Sequence, residues 1–140
     1  MKIAVFISGF LRTIDYNFPK LDNILKNYKV DYYLHISLDD NKDRYTNKKI
    51  SIQEILDLVK PKQCIIEKEQ IFDSCKFINI KRMWYKIYSL NLLKKKEEDL
   101  FQFKYDLVIR IRPDLHIIDK IIDFENYNLQ SDCIYGKMID

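Results

Sequence analysis

Glycine is scarce in this chain of 140 residues, with only Gly9 and Gly136 present. The three-glycine fingerprint of dinucleotide-binding dehydrogenases is therefore missing, as is the G-x-x-x-x-G-K-[ST] loop of P-loop proteins. Cysteine is also rare, and Cys64, Cys75 and Cys133 lie far apart without a Cys-x-x-Cys pair or a Cys/His ligand spacing. We therefore expect no zinc site and interpret the three cysteines as reduced structural thiols.

Long apolar runs are missing as well. No stretch approaches the ~20 apolar residues that a membrane-spanning helix needs, and the start of the chain lacks the pattern of a signal peptide. We therefore expect a cytoplasmic protein with no transmembrane segment. The net charge of +3 is mild and not gathered in one block, so we expect no nucleic acid among the partners. An apolar content of 47% is typical of a single folded domain.

Strand and helix patterns alternate along the chain. Apolar or β-branched runs predict strands at 2–8, 30–37, 63–67 and 105–112, with a last extended piece at 133–136. Helical spacing predicts helices between them, the last over about 79–97, with one apolar face formed by Ile80, Met83, Trp84, Ile87, Leu90 and Leu93. We predict a single α/β domain whose mainly parallel sheet is covered by helices on both faces. In that sheet, 2–8 and 105–112 should be adjacent central strands.

The run at 105–112 carries two arginines. Arg110 and Arg112 alternate with apolar residues and should therefore point to one side of the strand. Two guanidinium groups on an internal strand need a negative partner, and arginine suits bidentate binding of phosphate. The alternative is a buried salt bridge, for example from Arg110 to Asp31 or Glu67.

Asp114 and His116 follow this strand directly. Their spacing of two in an extended segment lets both side chains reach one point. A carboxylate and an imidazole, with positions left for phosphate oxygens, suit Mn²⁺ or Mg²⁺. The alternative is that Asp114 only neutralises Arg112 and that His116 is a surface residue.

Two other strand ends carry polar residues. The first strand ends in Ser8 and Gly9, and Arg12 follows within reach of a diphosphate or, alternatively, as a solvated loop residue. After the second strand, Asp39 could read a base or ribose, or simply solvate its loop. Near the end of that strand His35 is more typical of a satisfied core residue than of a ligand contact. Ligands of such sheets bind outside the carboxyl ends of the strands, which is where these residues should gather.

Four segments together resemble a known family. They are KIAVFISGFLRT at 2–13, DYYLHIS at 31–37, RMWYKIYSLNLL at 82–93 and YDLVIRIRPDL at 105–115. The chain is similar to small glycosyltransferase-like proteins of the GT-A type from bacterial polysaccharide loci and large DNA viruses. In that family a strand of this shape holds the metal and the diphosphate.

The resemblance implies a nucleotide-diphospho-sugar donor and a glycan acceptor. It places Asp114 at the position of the aspartate of a DxD-like motif, with His116 as a D-x-H variant, and it places Arg12, Arg110 and Arg112 near the nucleotide. Family members continue well past this motif, so residues 1–140 correspond to the nucleotide-binding half of a GT-A-like fold without the acceptor-binding part. Two hypotheses follow: a metal-dependent glycosyltransferase, or an inactive nucleotide-binding module that needs a partner.

Overall fold

The computed structural model describes residues 1–11, 13–38, 51–72, 77–114, 117, 123–126 and 129. Its elements in chain order are β1 (Lys2–Ser8), α1 (Ile14–Leu25), β2 (Lys29–Ser37), α2 (Ile52–Val59), β3 (Gln63–Glu67), α3 (Ile78–Leu100), β4 (Leu107–Ile111) and a 3₁₀ turn, Phe124–Asn126. The predicted alternation of strands and helices is therefore confirmed. The extended piece expected at 133–136 lies outside the described residues.

The four strands form one sheet in the order β3-β2-β1-β4, and every neighbouring pair is parallel. Strands β1 and β4 are adjacent, as predicted, with Phe6 opposite Arg110. In the described part of the chain, however, β4 is the outermost strand, so the expectation that it is also central is not met there. The order β3-β2-β1-β4 is that of a Rossmann-like α/β fold.

Helices cover both faces of the sheet, as predicted. Alternate residues of β1, among them Ile3, Val5 and Ile7, pack with α1 and α2 on one face. Ala4 and Phe6 point to the other face, where they pack with Leu90 of α3. The β1 core residues are almost completely buried because the strand lies between two others and between two helical layers.

Local sequence signals explain where the helices begin and end. At the start of α2, Ser51 and Glu54 form a capping box: Ser51 Oγ accepts from the Glu54 amide at 3.0 Å, and Glu54 Oε2 accepts from the Ser51 amide at 2.9 Å. Helix α1 begins at Ile14, five residues before Pro19, so this proline lies inside the helix. None of the helices in the described segments combines the length and the apolar character that a bilayer crossing requires.

Helix α3 does not fully bury the face that its apolar spacing predicts. Leu90 is fully buried, but Ile80 and Trp84 are 49% and 57% exposed. The buried positions of the helix include four charged residues, Lys86, Lys94, Glu97 and Glu98. These side chains are tolerated because they pair, for example Lys94 Nζ with Glu98 Oε1 at 2.9 Å. The predicted apolar face is therefore buried only in part: Met83, Ile87 and Leu93 are half-buried, whereas Ile80 and Trp84 are exposed.

Candidate functional site

A pocket opens where the carboxyl ends of β1 and β4 meet. The chain runs from β1 outward through β2 to β3 and then returns through α3 to place β4 on the opposite side of β1. Such a change of direction leaves a crevice at the strand ends, where ligands of open α/β sheets bind. Here the pocket has a volume of about 900 Å³, and its floor and walls include Ser8, Gly9, Phe10, Arg110 and Arg112.

The strand alternation of β4 brings two of the predicted residues into this pocket. Ile109 and Ile111 pack on the core below the sheet, so Arg110 and Arg112 project to the side of α3. Partial burial and the charge of Arg112 lower the pKa of Arg110, but the guanidinium stays charged. In the described residues no carboxylate forms an ion pair with Arg110.

Asp31 and Glu67 were the two carboxylates considered as salt-bridge partners of Arg110. Both contact other residues instead. Asp31 Oδ2 lies 3.3 Å from Lys62 Nζ and 2.6 Å from the Tyr105 hydroxyl, at the far end of the sheet. Glu67 Oε1 lies 2.8 Å from His35 Nε2. Neither carboxylate therefore pairs with Arg110, and among the described residues only the charge of nearby Asp114 acts on it favourably.

Asp114 forms an ion pair with Arg112, which is the alternative to metal binding that the sequence left open. Its carboxylate accepts from Arg112 twice, from Nε to Oδ1 at 3.1 Å and from Nη2 to Oδ2 at 2.8 Å. His116, the second expected ligand, lies outside the described residues. Among the residues that the structure describes, no group of three or more His, Cys, Asp or Glu gathers to hold a metal. The described donors therefore do not form a preformed metal site.

Helix α1 fixes the segment that carries Arg112 and Asp114. The carbonyl of Pro113 accepts from Thr13 Oγ1 and from Asn17 Nδ2, both at 2.7 Å. Asn17 is buried and sits one turn into the helix, so it can reach the end of β4 across the sheet edge. This contact between residues nearly one hundred positions apart was not predicted from the sequence.

Ser8 and Gly9 line the pocket at the end of β1, as expected. Gly9 has φ +129°, a backbone conformation that side chains rarely adopt, so glycine is needed here for the turn. Ser8 is almost completely buried, and its Oγ has no hydrogen-bond partner in the described part of the chain. The third residue of this opening, Arg12, lies outside the described residues, as do Asp39 and its neighbour Asp40.

Helix α3 adds cations that sequence reasoning missed. Arg82 and Lys86 line the pocket from the helix, one turn apart. Both contact Glu69: Lys86 Nζ lies 3.1 Å from Oε2, and Arg82 Nε lies 3.8 Å from Oε1. Burial opposes ionisation of Glu69, but the hydrogen bonds of Ser37 and Lys86 and the charges of Lys86 and Arg82 outweigh it, and the pKa of Glu69 is lowered. Their i, i+4 spacing was a signal that these residues share one helix face.

The described lining therefore carries five cations and one carboxylate: Lys68, Arg82, Lys86, Arg110, Arg112 and Glu69. An excess of positive charge in a concave site raises the local concentration of anions. The apolar part of the lining, which includes Ile71, Ile80 and Met83, offers surface to a ring or a chain. The arrangement is suited to a ligand with an anionic end and a less polar end.

Comparisons with known proteins give no relative from which a function could be transferred. No protein-family model, no curated protein and no solved structure matches this chain.

Proposed function

We propose that this domain binds a nucleotide-diphospho-sugar in the pocket at the ends of β1 and β4, as the donor-binding part of a GT-A-type glycosyltransferase. The observation that carries the proposal is Arg110, a cation that projects into the pocket and forms no ion pair within the described residues. Charge-assisted hydrogen bonds from arginine to phosphate are strong and directional. An anionic ligand would therefore gain most of its binding energy at this point.

The charge distribution favours one orientation of the ligand. The α3 cations Arg82 and Lys86 already share the carboxylate of Glu69, whereas no carboxylate of the described residues forms an ion pair with Arg110. The diphosphate should therefore lie over β4, beside Gly9, where the backbone allows a close approach. The base or the sugar would then extend toward Ile80 and the other apolar residues of the lining.

The chemistry expected of such a donor is sugar transfer. The bond from the anomeric carbon to the diphosphate oxygen breaks, and a bond from that carbon to an acceptor oxygen forms. Negative charge collects on the leaving diphosphate, and Arg110 and Arg112 would stabilise it there. We assign no general base, because the one carboxylate of the described lining, Glu69, is held by Lys86 and Arg82.

Binding of a metal ion at Asp114 would require this residue to give up its ion pair with Arg112. Asp114 would have to exchange Arg112 for Mn²⁺ or Mg²⁺, with His116 as the second ligand and the diphosphate completing the shell. The positive charge of the ion would stabilise the negative charge that develops on the leaving diphosphate. Arg112, released from Asp114, would then be free to contact phosphate.

A second function, binding without catalysis, is favoured by one observation. Since the only carboxylate of the described lining is held by two cations, this domain could hold the nucleotide for a partner chain that supplies the base. The two functions differ in turnover, because only the enzyme releases free sugar or transfers it.

A thermal-shift panel tests the proposal. Nucleotide-sugars with uracil, guanine, thymine and cytosine bases are each measured with and without Mn²⁺, since a ligand that binds only the folded state raises the melting temperature. At least one nucleotide-sugar should raise it, and the free sugar should not. If none of the nucleotide-sugars shifts the transition at millimolar concentration, the proposed function is wrong. Hydrolysis or transfer of the ligand found then separates enzyme from binding module.

A further inference from the structure

Three polar side chains from neighbouring strands lie side by side beneath the pocket. Ser8 of β1 and His35 of β2 are register partners in the parallel sheet, and Glu67 of β3 lies opposite Ser37, two residues further on. Ser8 and His35 are 1% and 0% exposed. All three are on the face of the sheet that α3 covers, and Ser8 is also part of the pocket lining.

Glu67 decides which nitrogen of His35 carries the proton. Glu67 Oε1 lies 2.8 Å from His35 Nε2, while Oε2 accepts from Tyr85 at 3.3 Å and from Gln70 at 3.2 Å. Because an ionised carboxylate only accepts hydrogen bonds, Nε2 must be the donor. Burial lowers the pKa of His35 and keeps the ring neutral, although Glu67 and Glu69 oppose this and only Lys86 adds to it. Nδ1 is therefore a lone-pair acceptor.

This Nδ1 has no hydrogen-bond partner within the described residues, and neither has Ser8 Oγ. A buried polar atom without a hydrogen-bond partner lowers stability. We therefore expect these two neighbouring atoms to form a hydrogen bond with each other. Neighbouring strands lie only about 4.8 Å apart, so register partners on one face of a parallel sheet are close enough to interact. Rotation of Ser8 about its Cα–Cβ bond would let its hydroxyl donate to Nδ1.

We propose that Ser8 and His35 form a hydroxyl-recognising subsite in the floor of the pocket. With its proton directed to His35, Ser8 Oγ presents only lone pairs to the ligand. It can then accept from an O–H group but repels an unprotonated phosphate oxygen. The series of hydrogen bonds from Glu67 through His35 to Ser8 thus makes Ser8 a site for a hydroxyl of the ligand. The anionic end of the ligand binds at Arg110 instead. This inference rests on the proposed function and names a sugar hydroxyl as the group bound.

The test compares ligands that share an anionic part and differ in hydroxyls. Binding of UDP-glucose, UDP, 2′-deoxy-UDP and inorganic pyrophosphate is measured by calorimetry for the wild type and for Ser8→Ala. The serine variant should fold, because it removes a single hydroxyl for which the described residues show no hydrogen bond. It should weaken binding of the hydroxyl-bearing ligand by about 3–10-fold and leave pyrophosphate unchanged.

The panel also identifies the source of the hydroxyl. If the ribose 2′-hydroxyl supplies it, Ser8→Ala weakens UDP but not 2′-deoxy-UDP, and if the 3′-hydroxyl supplies it, the variant weakens both. If the transferred sugar supplies it, only UDP-glucose is weakened. Unchanged affinity for every ligand, or an equal loss for pyrophosphate, would overturn the subsite. A wild type that binds none of the four ligands would instead count against the proposed function.

A second variant tests the direction of the proton chain. Glu67→Gln can donate its amide to Nε2, which moves the His35 proton to Nδ1 and turns Ser8 into a donor toward the pocket. The preference for the hydroxyl-bearing ligand over pyrophosphate should then fall. Long-range ¹H–¹⁵N NMR of the His35 ring should show protonated Nε2 in the wild type and protonated Nδ1 in the variant. An Nδ1-protonated ring in the wild type would overturn the proposal.

Discussion

Arg112 and Asp114 form a bidentate ion pair at the end of β4, with N···O distances of 3.1 and 2.8 Å. The residue expected to bind a metal is thus the counterion of a residue expected to bind phosphate. The pair is partly open to solvent, with side chains 45% and 18% exposed, so it is weak enough to exchange. Under the proposed function, a nucleotide would draw on Arg112 and a metal ion on Asp114, so each would have to break this pair.

The first prediction concerns Asp114→Asn. Without metal, the variant should bind UDP about two- to threefold more tightly than the wild type, since an exposed ion pair contributes ~0.5 kcal/mol and Arg112 is released. With Mn²⁺, the wild type should gain affinity and the variant should not, because the ligand carboxylate is gone. Calorimetry with and without Mn²⁺ measures both. Equal affinity in all four conditions would mean that Asp114 serves Arg112 alone and that no metal acts at this site.

Asn17 is expected to position the segment after β4. Its side chain is 4% exposed and donates to the Pro113 carbonyl at 2.7 Å. Asn17→Ala removes one of the two donors to that buried carbonyl and leaves Thr13 Oγ1 as the other, so it should lower the free energy of unfolding by about 0.5–1.5 kcal/mol. Asn23→Ala, an exposed change in the same helix, is the control and should have little effect. Urea denaturation of both variants decides the point, and equal stabilities would show that the contact is dispensable.

Gly9 should not tolerate a side chain, for a backbone reason. At φ +129° an alanine is strained, and this should cost about 1–3 kcal/mol of stability. A Cβ at Gly9 would meet Pro113 Cδ at 3.8 Å, an ordinary contact, so crowding is not the cause. Thermal unfolding of Gly9→Ala should therefore show the loss, and adding Pro113→Ala should not restore it. Restoration by the second change would contradict the account.

His35 makes stability depend on pH. Burial lowers its pKa below the ordinary value of 6.5, so as pH falls the unfolded chain takes up this proton before the folded one does. The contribution to stability is thus complete above that value and is lost as pH drops below it. The free energy of unfolding, followed from about pH 7.5 to about pH 5.5, should decrease in the wild type and less steeply in His35→Gln. Parallel profiles would show that His35 is not the group responsible.

Much of the fold followed from short-range patterns in the sequence. A strand has only two faces, so the alternation in β4 was enough to place Arg110 and Arg112 on the side of the pocket. The uninterrupted apolar run of β1 likewise predicted a strand buried on both faces, with β4 as its parallel neighbour.

Features that depend on distant residues could not be predicted in this way. The face that α3 turns toward the sheet is an example. Lys86 is buried on that face because it pairs with Glu69, a residue seventeen positions earlier in the chain. Hydropathy alone predicted that Trp84 would be buried against the sheet, but Trp84 is exposed. The environment of His35 is similar, since its partner Glu67 comes from another strand.

The binding of a diphosphate by Arg110 is the most direct test of the central proposal. Calorimetry should compare UDP and pyrophosphate for the wild type, for Arg110→Ala and for Lys29→Ala, an exposed cation at the opposite end of the sheet. Loss of a charge-assisted contact of ~1.5–3 kcal/mol should weaken both ligands by about 10–100-fold in the Arg110 variant, and the Lys29 variant should bind as the wild type does. A folded Arg110→Ala protein with wild-type affinity would contradict the account.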